Sequence, residues 1–260
     1  MRHRADRRHR WHCGGMQDRY SGDVGDYMKF GLLRQMAGDD LHLGINWYRA
    51  PDESHNADGK HISYLSPKNT IGRKLKACDP PLHTALAEMV AKNERSIAHL
   101  EALGVLPAES LTYSRPLRQM MTTGERQRWH EDALAALQGS DVVFLDPDNG
   151  LRTERGSKLE KYVLATEVGD YFTQGHSVVA YHHADRSKGG VPVQVTRRLE
   201  DLGQATGVAP LGAVIARRGS CRFFLFAAQP WHREILLDRL GAYAATWRGH
   251  AEVLIAGSVR

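Results

Sequence analysis

Cysteine is scarce in this chain and poorly placed for chemistry. Three occur in 260 residues, Cys13, Cys78 and Cys221, far apart and without a Cys-x-x-Cys pair. That spacing indicates neither a disulfide framework nor a zinc knuckle, and a reducing, cytoplasmic setting is the default expectation. Long apolar runs are missing too. None approaches the roughly 18 residues of a membrane span, so no membrane partner is expected. There is no internal repeat and no obvious linker. No Gly-rich turn follows the first expected strand, where Tyr48 is succeeded by Arg49-Ala50-Pro51-Asp52, which weakens the case for a glycine-cradled cofactor at that turn.

A large charge of one sign is missing from the body of the chain. The formal charge is +5, but residues 1–12 hold five arginines against Asp6, leaving 30 basic against 29 acidic residues elsewhere. Residues 1–15 read as a disordered basic leader, or as upstream sequence if Met16 is the true start. The sharper reading is an arm that binds RNA or DNA. Residues 16–260 are expected to form a single α/β domain, with 42% hydrophobic residues to build its core.

The most informative stretch is Asp141 to Leu151, Asp-Val-Val-Phe-Leu-Asp-Pro-Asp-Asn-Gly-Leu. Val142 to Leu145 run without a polar break into a turn rich in Asp, Pro and Gly, the pattern of a strand buried on both faces of a parallel sheet. Open α/β sheets bind ligands at the carboxyl ends of such strands, which places Asp146, Pro147, Asp148 and Asn149 at the candidate site. Around it the pattern predicts a helix over 27–37 capped by Asp23 or Asp26, strands over 41–48 and 111–114, and one long helix over 81–103. It further predicts helices over 127–137 and 158–172, a second buried strand over 177–181, a helix over 195–202 and a hairpin of 211–216 with 221–227. A helix over 231–240 and an apolar run over 253–256 complete the reading. The fold class is α/β: a Rossmann-like, mostly parallel sheet with helices on both faces and an antiparallel C-terminal hairpin.

This order resembles the class I S-adenosylmethionine-dependent methyltransferases, whose sheets end in an antiparallel strand. The turn at Asp146-Pro147 matches the start of the Asp-Pro-Pro-Tyr motif of the amino-methylating members. That resemblance implies that Asp146 and the Pro147 carbonyl accept hydrogen bonds from a target amine, which is catalysis by positioning. Asp148 and Asn149 stand where that motif has its second proline and its aromatic. Asp26-Tyr27-Met28-Lys29 is similar to the Asp-Val-Leu-Lys of large-subunit ribosomal RNA adenine-N6 methyltransferases, which implies that Asp26 and Lys29 help hold S-adenosylmethionine. Asn46 and Tyr48, at the end of the first strand, border the same cofactor edge. The whole chain also resembles a bacterial and phage-associated family that pairs Asp-x-Gly-Asp-Tyr with Asp-Pro-Asp-Asn-Gly.

Other readings of the same residues stand beside this one. Asp146, Asp148, His182 and His183 are a candidate set of Mg²⁺, Mn²⁺ or Zn²⁺ ligands, with Asp23, Asp26 or His55 above them. Such a centre implies phosphodiester hydrolysis, with Lys29 or Arg186 stabilising charge. A non-catalytic Rossmann-like binding protein is the third reading. Asp before Pro commonly caps a turn, and Lys29 on a helix is commonly a solvated lysine. Side chains alternate along a strand, so His182 and His183 face opposite ways and at most one joins the site. The polar loop 49–60, with Asp52, Glu53, His55, Asn56 and Asp58, reads as functional or as a surface insertion. The tryptophans read as packing, and Arg217 and Arg218 as exposed hairpin-turn residues.

Overall fold

The structure, a computed structural model, describes residues 21–49, 61–154, 156–185 and 187–256. The basic leader, His55 and most of its loop, and Arg186 lie outside the described residues.

Four strands run mutually parallel: β1 (Leu43–Asn46), β2 (Leu111–Tyr113), β3 (Val142–Leu145) and, further along the chain, β6 (Ser177–His183). Between β3 and β6 the chain forms β4 (Gly150–Arg152) and β5 (Tyr162–Leu164), which pair with each other in a small second sheet. Three antiparallel strands follow. β8 (Arg222–Ala227) pairs with both β6 and β7 (Gly212–Ala216), and β9 (Ala251–Ile255) pairs with β7. Among the described residues the main sheet therefore has seven strands in the order β2-β1-β3-β6-β8-β7-β9. The expected terminal hairpin is present, extended by a third antiparallel strand at the sheet edge.

Two cores explain why the strands read as unbroken apolar runs. Val142 and Phe144 share one core with α1 (Val24–Ala37), α2 (Thr70–Lys76), α3 (Pro80–Ala91), α4 (Ile97–Ala102) and α8 (Arg233–Thr246). Val143 and Leu145 point the other way, toward α5 (Thr123–Ala136), α6 (Ala165–Thr173) and α7 (Gly190–Thr206). Strands covered on both faces need apolar side chains at every position, each contributing roughly 1.5–3 kcal/mol of burial.

Several expected helices have different bounds, each for a local reason. The expected helix over 81–103 is two helices, because Asn93 adopts a left-handed φ of 58° and Ser96 then caps α4 through His99 N. The expected helix over 158–172 begins only at Ala165, since Tyr162–Leu164 are taken up by the parallel ladder with β4. α5 starts earlier than expected, where Thr122 and Glu125 form a reciprocal capping box. α7 is longer than the expected 195–202. Trp47, Trp129 and Trp247 are buried packing residues, whereas Trp231 is 65% exposed. No helix among the described residues is long and apolar enough to cross a membrane.

Candidate functional site

The chain leaves β1 for β2 on one side and later returns to place β3 on the other side of β1. The carboxyl ends of β1 and β3 thus flank the point where the strand order reverses, the crevice at which α/β sheets take their ligands. Asp146 lies there, one residue past β3, and its N–H donates to the Asn46 carbonyl at 2.9 Å. By alternation Asp146 shares the face of Phe144, the face that α1 covers.

α1 delivers the partner groups. Asp23 is its N-cap, and the carboxylate accepts from Asp26 N at 2.9 Å. Asp26 in turn accepts from Gly22 N at 3.0 Å. One helical turn on, Lys29 lies 2.8 Å from Asp26 Oδ1 and 2.9 Å from Asp146 Oδ2. All three side chains are almost fully buried. The Lys29 ammonium also lies 5.0 Å from the Phe30 ring centre and 5.4 Å from that of Trp47, contacts that favour a cation in a dry setting. Arg222, at the start of β8, reaches Asp23 Oδ2 at 3.5 Å. Its approach depends on Gly25, where an added Cβ would lie 2.2 Å from the guanidinium carbon.

The electrostatics follow from burial and from this pairing. Burial lowers the Lys29 pKa, but Asp146 and Asp26 more than offset it and hold the ammonium charged above the ordinary lysine value. Asp146 is pushed up to about 6, first by burial, against the pull of Lys29 and with help from Asp26 and Asp148. Asp23 is raised as well, by burial and by Asp26, with Arg222 opposing. Three carboxyl groups face two cations, so the cluster carries one negative charge in excess when all three are ionised. A carboxyl group that titrates near neutral pH at a ligand-binding edge is the kind of group that can accept a hydrogen bond or a proton from substrate.

The other expected residues are distributed around this cluster. Asp148 pairs with Lys161 at 3.2 Å. Asn149 uses its backbone: its N–H donates to the Lys161 carbonyl at 2.8 Å and its carbonyl accepts from His183 N at 2.9 Å. Pro147 is buried. Asn46 and Tyr48 turn their side chains to the opposite face. Asn46 Nδ2 donates to the Tyr171 hydroxyl at 3.0 Å, and the Tyr48 hydroxyl donates to Glu167 at 3.1 Å. The two histidines separate as strand alternation requires. His183 lies 3.2 Å from the Tyr181 hydroxyl. His182 accepts from Leu151 N at 3.1 Å and stacks on Phe223. Burial, helped by Arg198, lowers the His182 pKa to about 3, so that ring is neutral. Gly150 allows this contact, since a Cβ there would lie 2.2 Å from His182 Nδ1 and its φ of 126° suits glycine.

Arg222 is the member of the cluster that the sequence pattern does not single out. A signal was nonetheless present: a cation heading an otherwise apolar strand, Arg222-Phe-Phe-Leu-Phe, where burial demands a partner. Among the described residues, no group of three or more His, Cys, Asp or Glu side chains converges as metal ligands would. The chain matches no protein-family model and no curated protein sequence, so the functional reading rests on this geometry.

Proposed function

We propose that the chain is an S-adenosylmethionine-dependent N-methyltransferase acting on nucleic acid. The observation that carries the reading is the Lys29-clamped Asp146 carboxylate at the sheet's switch point, on the residues that resemble the amino-methylating motif. The donor set suits the cofactor: a buried cluster with one carboxylate in excess favours a ligand bearing a cationic centre, and Asp26 and Lys29 are the residues that would hold it. The bound cofactor supplies a methyl group on a sulfonium.

The protein's own part is positioning. Lys29 fixes one oxygen of Asp146, leaving the carboxylate oriented to accept an N–H from the target amine, while the Pro147 carbonyl accepts the second. Holding the amine in line with the methyl group is the source of rate. The nucleic-acid assignment draws on the five arginines of residues 1–12, which suit phosphate contacts. Calorimetry with S-adenosylmethionine and with its demethylated product tests the proposal. Binding is expected, and no heat at millimolar ligand would sink it.

A further inference from the structure

A stretch of cations without carboxylates borders the Lys29–Asp146 cluster. From His61 to Cys78 the chain carries Lys68, Arg73, Lys74 and Lys76 and no acidic residue. All four are exposed, three of them on α2. The carboxylates that adjoin this surface in sequence are already taken, Asp79 by Arg34 and Glu252 by Arg217. Among the described residues none of the four cations has a carboxylate partner. Unneutralised cations clustered on one face are the electrostatic footprint of a polyanion site.

Two turns extend this surface. The β7–β8 turn adds Arg218, and the α8–β9 turn adds the exposed Arg248. Arg218 Nη2 donates to the Gly249 carbonyl at 3.0 Å and to His250 Nδ1 at 3.2 Å, which joins the turns. Burial lowers the His250 pKa, and Arg218 and Lys74 lower it further. The charges of α2 and of the β7–β8 turn thus meet at one ring.

The same surface is tied to the candidate site. Arg222, which reaches Asp23, also donates to the Arg218 carbonyl at 2.9 Å. The His61 carbonyl accepts from Val24 N, at the start of α1, at 3.0 Å. Gly219 sits against both residues, since an added Cβ would lie 3.0 Å from His61 and 3.2 Å from Val24.

We propose that this surface, with Lys74 and Arg218 at its centre and Arg73 and Arg248 beside them, binds the phosphate backbone of a single-stranded nucleic acid. The inference rests on the nucleic-acid part of the proposed function. A substrate that spans the two places must offer an amine to Asp146 and negative charge to Arg218, and a nucleic acid carries both. An exocyclic amine is reached only when its base is unpaired or flipped out, which favours a single strand.

The probe is a labelled mixed-sequence RNA single strand of about 20 nucleotides, titrated with the full chain at several salt concentrations and read by fluorescence anisotropy. Each cation that holds a phosphate should contribute about 0.7 to the slope of log affinity against log salt, and roughly fourfold in affinity at about 0.15 M salt. The double variant Lys74→Gln, Arg218→Gln should therefore lower the slope by about 1.4 and the affinity roughly 15-fold. Arg128→Gln, at an exposed position of α5 across the sheet, should change neither. The five leader arginines are common to all these proteins, so the differences report this surface. If the double variant fails to fold, Arg73→Gln with Lys74→Gln, at two exposed positions, should give the same reduction. No binding by the wild-type chain, or an equal loss in Arg128→Gln and the double variant, would overturn the proposal. Phosphatidylserine vesicles or polyglutamate bound as tightly as the RNA would overturn the choice of nucleic acid. Failure of the methyl-transfer reading shows separately, as absent heat with S-adenosylmethionine while RNA binding and its loss in the variants persist.

Discussion

Lys29 Nζ lies 2.9 Å from Asp146 Oδ2 and so joins residues 117 positions apart, one on the first helix and one just past the end of β3. The contact costs the desolvation of both charges, and its geometry together with Asp26 offsets that cost.

Replacing the cation exposes this balance. Lys29→Met removes the positive member and leaves Asp26 and Asp146 buried and facing each other. Loss of one partner of a buried pair costs about 3–5 kcal/mol. The loss should be largest near pH 8 and smaller near pH 5, where Asp146 takes up a proton. Urea denaturation of both proteins at the two pH values checks this, and an equal loss at both would count against a buried, charged Asp146.

Stability and methyl transfer should respond to pH in opposite directions. The folded Asp146 holds its proton up to about pH 6, against an ordinary value of 3.8. Its contribution to stability is therefore complete below about 3.8 and is lost as pH rises through about 6. A tenfold difference in proton affinity between folded and unfolded chains is worth about 1.4 kcal/mol, so the whole change approaches about 3 kcal/mol. Asp23, raised for the same reason, adds in the same direction. Acceptance of an N–H requires the ionised carboxylate, so transfer should rise through about pH 6 and then level. Asp146→Asn should flatten much of the stability trend, weaken cofactor binding by removing the excess carboxylate, and lower transfer at saturating cofactor by about a hundredfold through loss of positioning. A transfer rate that falls between pH 5 and 7 would refute the assigned role.

Gly25 makes a sharper test, because two ordinary effects oppose each other there. Glycine within a helix is usually worse than alanine by about 0.5–1 kcal/mol, which favours Gly25→Ala. The new Cβ would lie 2.2 Å from Arg222 Cζ, however, and 2.3 Å from its Nη2. Overpacking of this kind costs about 1–3 kcal/mol, and the displaced guanidinium also loses Asp23. The clash should win, with a net loss of about 1–2 kcal/mol. In the Arg222→Ala background the same change should cost nothing or stabilise. A double-mutant cycle by thermal melting measures this coupling.

The main elements of the fold were legible because their signals are local. The apolar β-branched run before Asp146 announces a doubly buried strand, and Asp23 before an apolar helix announces a cap. The separation of His182 from His183 follows from the two-residue period of a strand. What escaped depends on partners distant in sequence. Tyr162 to Leu164 extend because Gly150 to Arg152 offer them a ladder, which no window of the sequence contains. The side chains of Asn46 and Tyr48 face α6 because Tyr171 and Glu167 await them there. Arg222 joins the site because β8 sets it beside α1. Helix 81–103 divides at Asn93, a residue type that tolerates the left-handed region and could have signalled the break.

Divalent metal ions should leave the melting temperature unchanged. The candidate oxygen and nitrogen ligands already have partners that compete with a cation: Asp146 is held by Lys29, Asp148 by Lys161, and His182 Nδ1 by Leu151 N–H. Strand alternation also sends His182 and His183 to opposite faces, so they cannot close on one ion with both carboxylates. A metal present at a hundred times its Kd would add about 2.7 kcal/mol, a rise of roughly 5–10 °C for a chain of this size. Mg²⁺ and Mn²⁺ at millimolar concentration should produce no such rise. Asp148→Ala should lower stability by about 1–3 kcal/mol, with or without metal, because it takes this partner from the buried Lys161 ammonium. A rise of that size that vanishes in Asp148→Ala would instead establish a metal site at this turn, with the Lys161 pair displaced to make room for the ion.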